Sequence, residues 1–330
     1  MLVLVSEITI ESLPLTPSEG RGKTWKFNAL NNCNIVEDTT TLTDTCELLL
    51  PKKTIWEGSE NFKLPIKRGD KITVKLGYNG ILKTRFVGFI RTIDAKTPMK
   101  ITCEDGMFLL KTLEVKKKGY AKVTLKQLIT DLLAGTDIPF ELIDKDIVLG
   151  PYRITKNTVA EELNEIKSEF GLRAYFRTVA GVSKLYVGFT YPFDSRNREN
   201  FIYGKNIISE DFVYRIAEDV KIKVKAISID AKNKRIELTT GDKDGELFTV
   251  YKYNVGNDEL KRFADSELIR FKTTGFKGGF ETFGEPFVNK CDIAYIEASD
   301  NNKGSFLIKK VEVNFGMGGY RQKIEIGQPL

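Results

Sequence analysis

The sequence predicts an α+β protein that is mostly β: two small antiparallel β-barrels flanking small α+β units. Three observations carry this. Runs rich in β-branched and aromatic residues, bounded by Gly, Asn, Asp and Pro turns, fill the first and last thirds. In the middle third the apolar residues recur at helical rather than strand spacing. The chain has 330 residues, 41% hydrophobic and 29% charged, which is ordinary globular composition with length for more than one domain. The expected limits are 1–112 for the first barrel, 113–205 for the α+β units, and 206–330 for the second barrel with an inserted helix.

The first third opens on an apolar strand, Leu2–Ile10, followed by Trp25–Val36 and Thr40–Leu50. Pro51 ends that run because proline cannot extend a ladder. Trp56–Lys63 is polar and reads as a loop. Arg68-Gly69-Asp70 turns into Ile72–Leu76, and Asn79-Gly80 is a strong hairpin signal before Leu82–Ile93. Lys100–Cys103 adds a further strand.

The middle third carries two helices. Val123–Leu133 has helical apolar spacing and Gly135 as its stop. Thr158 reads as an N-cap for Val159–Phe170, with Glu161 as its capping-box partner and Gly171 as the terminator. Strands Leu172–Arg177 and Leu185–Phe189 follow through Ala180-Gly181.

The last third returns to β. In Val220–Asp230, Val220, Ile222, Val224 and Ala226 share one face, and Lys221, Lys223 and Lys225 the other. Then Ile227 and Ile229 fall on the lysine face, and Ser228 on the apolar one. Either a bulge resets the register, or the far end of the strand is covered on both sides. A meander, a helix at Asp258–Phe271, and strands at Gly275–Phe283, Asp292–Glu297, Ser305–Asn314 and Arg321–Ile326 complete the chain.

Two β regions echo each other. Gly69-Asp70-Lys71-Ile72 precedes Arg85-Phe86-Val87-Gly88-Phe89-Ile90, and Cys291-Asp292-Ile293 precedes Ser305-Phe306-Leu307-Ile308. Either any two hairpins look alike, or the chain holds two copies of one barrel.

Composition removes much chemistry. With no histidine, Ser-His-Asp and Cys-His nucleophiles, His-based zinc sites and His general bases are all absent. Cys33, Cys46, Cys103 and Cys291 form no C-x-x-C pair and read as reduced, buried small hydrophobes. No P-loop, G-x-S-x-G or S-x-x-K occurs. Glu161, Glu162 and Glu165 lie where a helix N-terminus favours acids, rather than as a glycosidase pair. Asp242–Glu246 and Asp300–Gly304 read as hairpin turns rather than calcium loops, and Arg68-Gly69-Asp70 as a strand entry rather than an adhesion motif. The 51 basic and 45 acidic residues describe a mixed surface without a specific nucleic-acid stripe. No signal peptide and no stretch long and apolar enough for a membrane span appear, so a cytosolic origin is expected. No catalytic residue, cofactor or metal is expected.

Three stretches resemble a known family. Ile66–Gly106 has a polar-Gly-Asp entry, strand, hairpin and Phe-x-Gly-x-Ile; Thr158–Gly188 has a helix, Gly-Leu, strand and apolar return; Gly304–Ile326 has a closing hairpin with a Gly-Tyr turn. In this order they resemble the phage tail baseplate hub proteins, including late control protein D and the hub portion of type VI secretion spike proteins. The usual Pro-Gly-Asp of the C-terminal barrel reads Lys290-Cys291-Asp292 here. The resemblance implies a homotrimer whose six barrels form a pseudo-six-fold ring, adapting a six-fold tail tube to a three-fold central spike. The implied partners are the chain itself, tube protein, spike protein and baseplate wedge proteins, with a central channel that admits DNA without reading it. The implied place is a virion tail or baseplate, assembled in a bacterial cytoplasm. Phe86, Phe89, Ile90, Val220, Ile222, Val224, Ile227 and Ile229 are the expected ring-forming residues. Lys221, Lys223 and Lys225 are the expected polar or channel face. Two other classes compete: a carbohydrate- or wall-binding module using Trp25, Trp56 or Tyr78, and a peptidoglycan hydrolase needing two carboxylates in a cleft.

Overall fold

A computed structural model describes residues 2–12, 22–51, 66–94, 98–144, 147–179, 181–189, 196–272 and 275–330. In chain order the first part holds β1 (Leu4–Glu11), β2 (Thr24–Phe27), β3 (Asn32–Asp38), β4 (Thr45–Leu50), β5 (Lys71–Tyr78), β6 (Ile81–Asp94), β7 (Met99–Glu104) and α1 (Met107–Thr112). The middle holds β8 (Gly119–Thr124), α2 (Leu125–Leu132), β9 (Phe140–Leu142), β10 (Val148–Arg153), α3 (Val159–Phe170), β11 (Arg173–Val179) and β12 (Val182–Gly188). The rest holds β13 (Arg198–Ile202), β14 (Ile207–Arg215), β15 (Ile222–Ile229), β16 (Arg235–Gly241), β17 (Glu246–Tyr253), α4 (Asn257–Phe271), β18 (Gly275–Phe283), β19 (Ile293–Glu297), β20 (Lys303–Gly316) and β21 (Gly319–Pro329).

The α+β, mostly-β class stands, but the two barrels are neither separate nor closed. β3 pairs antiparallel with β20, from Asp38 opposite Lys310 to Asn32 opposite Gly316. That seam joins both ends of the chain into one 13-stranded sheet, ordered β14-β18-β21-β20-β3-β4-β7-β6-β5-β1-β2, with β19 on β20 and β13 on β19. Its inner face is one continuous core, in which Ile8, Ile35, Leu48 and Ile72 from the first part meet Phe280, Ile296, Val311 and Ile324 from the last.

Local chemistry explains the edges of each element. Asn79 and Gly80 both take positive φ, as a tight hairpin between β5 and β6 requires. Thr158 accepts from the Glu161 N–H, the Glu161 carboxylate accepts from the Thr158 N–H, and Gly171 closes α3 in the left-handed region. Trp25–Val36 is not one strand; it breaks between β2 and β3.

The reversal in β15 has a plain cause. β15 pairs along its length with β16 and β17 without a register shift, so there is no bulge. Ile222, Val224 and Ala226 pack on Leu260 and Ala264 of α4. Ile227 and Ile229 pack on the opposite side, in the core of the middle units. Ser228 stays on the α4 side because its hydroxyl donates to the Val255 carbonyl at 2.8 Å and accepts from the Val255 N–H at 3.1 Å.

Candidate assembly site

The sheet is built from two copies of one unit. The Gly69 N–H donates to Ile90 O at 2.8 Å, and the Cys291 N–H to Ile308 O at 2.9 Å. Ile90 N–H returns to Asp70 O at 2.9 Å, and Ile308 N–H to Asp292 O at 2.8 Å. Asp70 Oδ2 accepts from Lys67 N–H, and Asp292 Oδ2 from Asn289 N–H, both at 2.8 Å. Gly69 has φ 91° and Cys291 φ 71°, so the cysteine occupies a left-handed position that its counterpart gives to glycine. Each returning strand then carries an irregularity at the same place, between Ile90 and Thr92 in β6 and between Ile308 and Lys310 in β20.

A buried ionic cluster ties the second copy to the first and to the middle units. Lys290, 1% exposed, donates from Nζ to Asp44 at 2.6 Å, and its N–H donates to Glu37 Oε2 at 3.0 Å. Asp105 Oδ2 accepts from the Asp44 N–H at 3.1 Å. Burial pushes the Asp44 carboxyl up to about 8 against the pull of Lys290, and Asp105 up to about 6. The Lys290 ammonium is opposed by burial, but Asp44 and Asp105 hold it above its ordinary range. Beside it, Arg177 of β11 pairs with Asp292, which also accepts from the Asn197 N–H at 2.9 Å. Arg85 of β6 donates to Val288 O at 2.6 Å and lies over the Phe287 ring.

Glu37, Asp44 and Asp105 line a void of about 20 Å³, room for one water and too small for a sugar. Glu162, expected as a first-turn acid, is fully buried, accepting from Tyr152 Oη at 2.6 Å and from the Lys156 N–H at 2.9 Å. Glu161 is committed to the capping box. All four cysteines are free and buried, and burial pushes the Cys291 thiol up to about 12. Among the described residues no group of His, Cys, Asp or Glu could hold a metal, and no helix is long and apolar enough to cross a membrane.

Of the expected aromatic platforms, the two that are described are not displayed. Trp25 is half-buried against the main core. Tyr78 packs 5.3 Å from the Tyr320 ring and donates to Tyr320 O at 2.8 Å. Trp56 lies outside the described residues.

The expected ring-forming side chains are committed inside the chain. Phe86 and Ile90 are buried in the main core, and Phe89 stacks on Phe108 at 5.9 Å. Val220, Ile222 and Val224 belong to the α4 core, and Ile227 and Ile229 to the middle core. Both edges of β15 are taken, by β16 and β17. The cover that Ile227 and Ile229 need is therefore supplied by their own chain. The lysine row points away from α4: Lys221 is exposed, Lys223 donates to Lys243 O at 3.3 Å, and Lys225 pairs with Glu237 at 2.7 Å.

The surface that sequence reasoning missed is β14. Among the described residues it is hydrogen-bonded to a strand on one side only, by β18. Ile208, Val213, Tyr214 and the following Ile216 are each at least 41% exposed. Its only sequence signal is the apolar content of Ile207–Ile216, interrupted by Ser209, Glu210 and Asp211.

Comparison with known proteins places this architecture. No family model matches the sequence, and no curated protein matches it. Solved structures do match. The tail protein from Neisseria meningitidis MC58 aligns with TM-score 0.63 at 12% identity, over 98% of this chain and 96% of that one. The 43 kDa tail protein of prophage MuSo2 from Shewanella oneidensis aligns with TM-score 0.60 at 15% identity, over 98% of each chain. The E. coli c3393 protein, a component of the type VI secretion system with structural similarity to T4 bacteriophage tail proteins gp27 and gp5, aligns with TM-score 0.56 at 12% identity, over 91% of this chain and 73% of that one. From end to end, the chain has the fold of these phage tail and type VI secretion proteins.

Proposed function

We propose that the chain is a structural baseplate hub of a phage tail or related contractile injection machine, acting without catalysis. Three copies would adapt a six-fold tail tube to a three-fold central spike. The observation that carries this is the duplicated unit at Asp70 and Asp292: three chains with two copies each offer six similar surfaces to a six-fold partner. The fold shared with tail proteins over 98% of the chain supports it.

In this reading the partners are the chain itself, a tube protein, a spike protein and baseplate wedge proteins, and the place is a virion tail assembled in the host cytoplasm. Lys221, Lys223 and Lys225 supply a polar face for a channel. Charge without interleaved aromatics lets a phosphate backbone pass without gripping bases. Electron microscopy of the purified chain tests the reading: rings with three-fold symmetry and an open centre are expected, and compact single particles contradict it.

A further inference from the structure

The Lys290 cluster holds more than an ion pair needs. Lys290 Nζ lies 2.6 Å from each carboxylate oxygen of Asp44, which puts Cγ within about 3 Å, the separation of atoms set to react. A second carboxylate stands beside the pair: Asp105 Oδ2 accepts from the Asp44 N–H at 3.1 Å, and its Oδ1 from the Met107 N–H at 3.0 Å. A third, Glu37, accepts from the Lys290 N–H at 3.0 Å. All four residues are buried. The Tyr175 ring centre is 5.7 Å from Nζ, and Phe86, Val87 and Phe176 join the cluster in lining the small void, which has room for one water. An amine, a carboxyl in contact with it, a further carboxylate to carry protons and space for one water thus meet in a place closed to solvent. These are the parts that amide formation requires.

We propose that Lys290 and Asp44 join in an intramolecular amide bond after the chain folds, with Asp105 as the proton carrier. Lys290 rests as an ammonium. It gives a proton to the Asp105 carboxylate, and the freed lone pair on Nζ bonds to Cγ of Asp44 in its acid form. The Cγ–OH bond then breaks, and the hydroxyl leaves as water into the void. Of the three ammonium protons, one stays on the amide nitrogen, one leaves in the water and one remains on Asp105. No oxidant or reductant is used. Burial suits both carboxyls to these roles. Asp44, pushed up to about 8, is in its acid form at neutral pH, and Asp105, at about 6, is mostly ionised and able to accept. The bond ties the two copies together across 246 residues of sequence, and unlike a disulfide it resists reduction. Until it forms, Asp44 titrates as an acid; afterwards no carboxyl is left there to titrate.

Mass spectrometry of the purified chain, incubated at neutral pH and then denatured, tests the bond. The chain should be lighter than its sequence by one water. Trypsin does not cut after an acylated lysine, so 278–303 should stay whole and be joined to 27–52. Lys290→Arg, which has no amine to acylate, should keep the full mass, and so should Asp105→Asn. Circular dichroism checks that each variant folds, and the wild-type mass decides the bond in either case. A wild-type chain of full mass that is cut after Lys290 overturns it, as does a missing water mapped to other residues. A joined product from the Asp105→Asn chain keeps the bond and overturns Asp105 as the carrier.

Discussion

Asp70 and Asp292 hold the same place in two copies of one strand entry, each accepting at 2.8 Å from the N–H three residues before it. They differ in what surrounds them. Asp70 is fully buried at its turn, and Asp292 also receives the buried Arg177. Asp292 thereby anchors β11 of the middle units.

Backbone conformation at the two turns sets the first prediction. An alanine Cβ at Gly69 meets nothing closer than 4.0 Å, so Gly69→Ala carries only the left-handed penalty. It should destabilise by about 1–2 kcal/mol in urea unfolding. At the second turn, Cys291→Gly should be more stable than Cys291→Ala by a similar amount, since both lose the thiol and only one relieves φ. Equal stabilities at position 291 would show that the left-handed residue is not under strain.

The Arg177–Asp292 pair gives the second. Asp292→Ala leaves a guanidinium buried without its carboxylate, and should cost about 3–5 kcal/mol. Arg177→Met with Asp292→Ala should recover part of that loss, because the unpaired charge is gone. Additive losses in the double-mutant cycle would rule out coupling across this contact.

Asp44 gives a pH dependence. Its folded value, about 8, lies above the ordinary carboxylate value of 3.8, so between the two the native chain holds a proton that the unfolded chain has released. Stability therefore falls as pH rises through this window, by at most about 1.4 kcal/mol per pH unit for one proton. Asp44→Asn cannot release that proton and should flatten the profile. Urea unfolding of both chains between about pH 5 and pH 8 reads the difference; matching slopes would remove Asp44 as the cause.

Ile227 supplies a prediction about where its cover comes from. It packs in the middle core of its own chain. Ile227→Ala should lower stability by about 2–4 kcal/mol, independent of protein concentration. A loss that grows on dilution would mean that a neighbouring chain covers it.

The local signals in the sequence were legible because their causes are local. Asn79-Gly80 and the Thr158–Gly171 helix each state their own backbone geometry within a few residues. The alternation of β15 was legible too, but its reversal was not decidable, because the two covers come from α4 and from α3's unit. The β3·β20 seam had no local sign: Asp38 and Lys310 come from opposite ends of the chain. It is this seam that turns two expected barrels into one open sheet. The ionic cluster was hidden for a different reason. Asp44, Asp105 and Lys290 are residue types that normally face water, and only the closing of three separate segments buries them. Of the candidate surface, the apolar content of β14 was readable, but not its place at an edge.

The most direct test of the hub account is the mass of the chain in solution, by sedimentation equilibrium across a wide concentration range. The account predicts a particle of three times the 37.4 kDa chain, about 112 kDa, which does not grow further because the ring is closed. A single-chain mass at every concentration would contradict it.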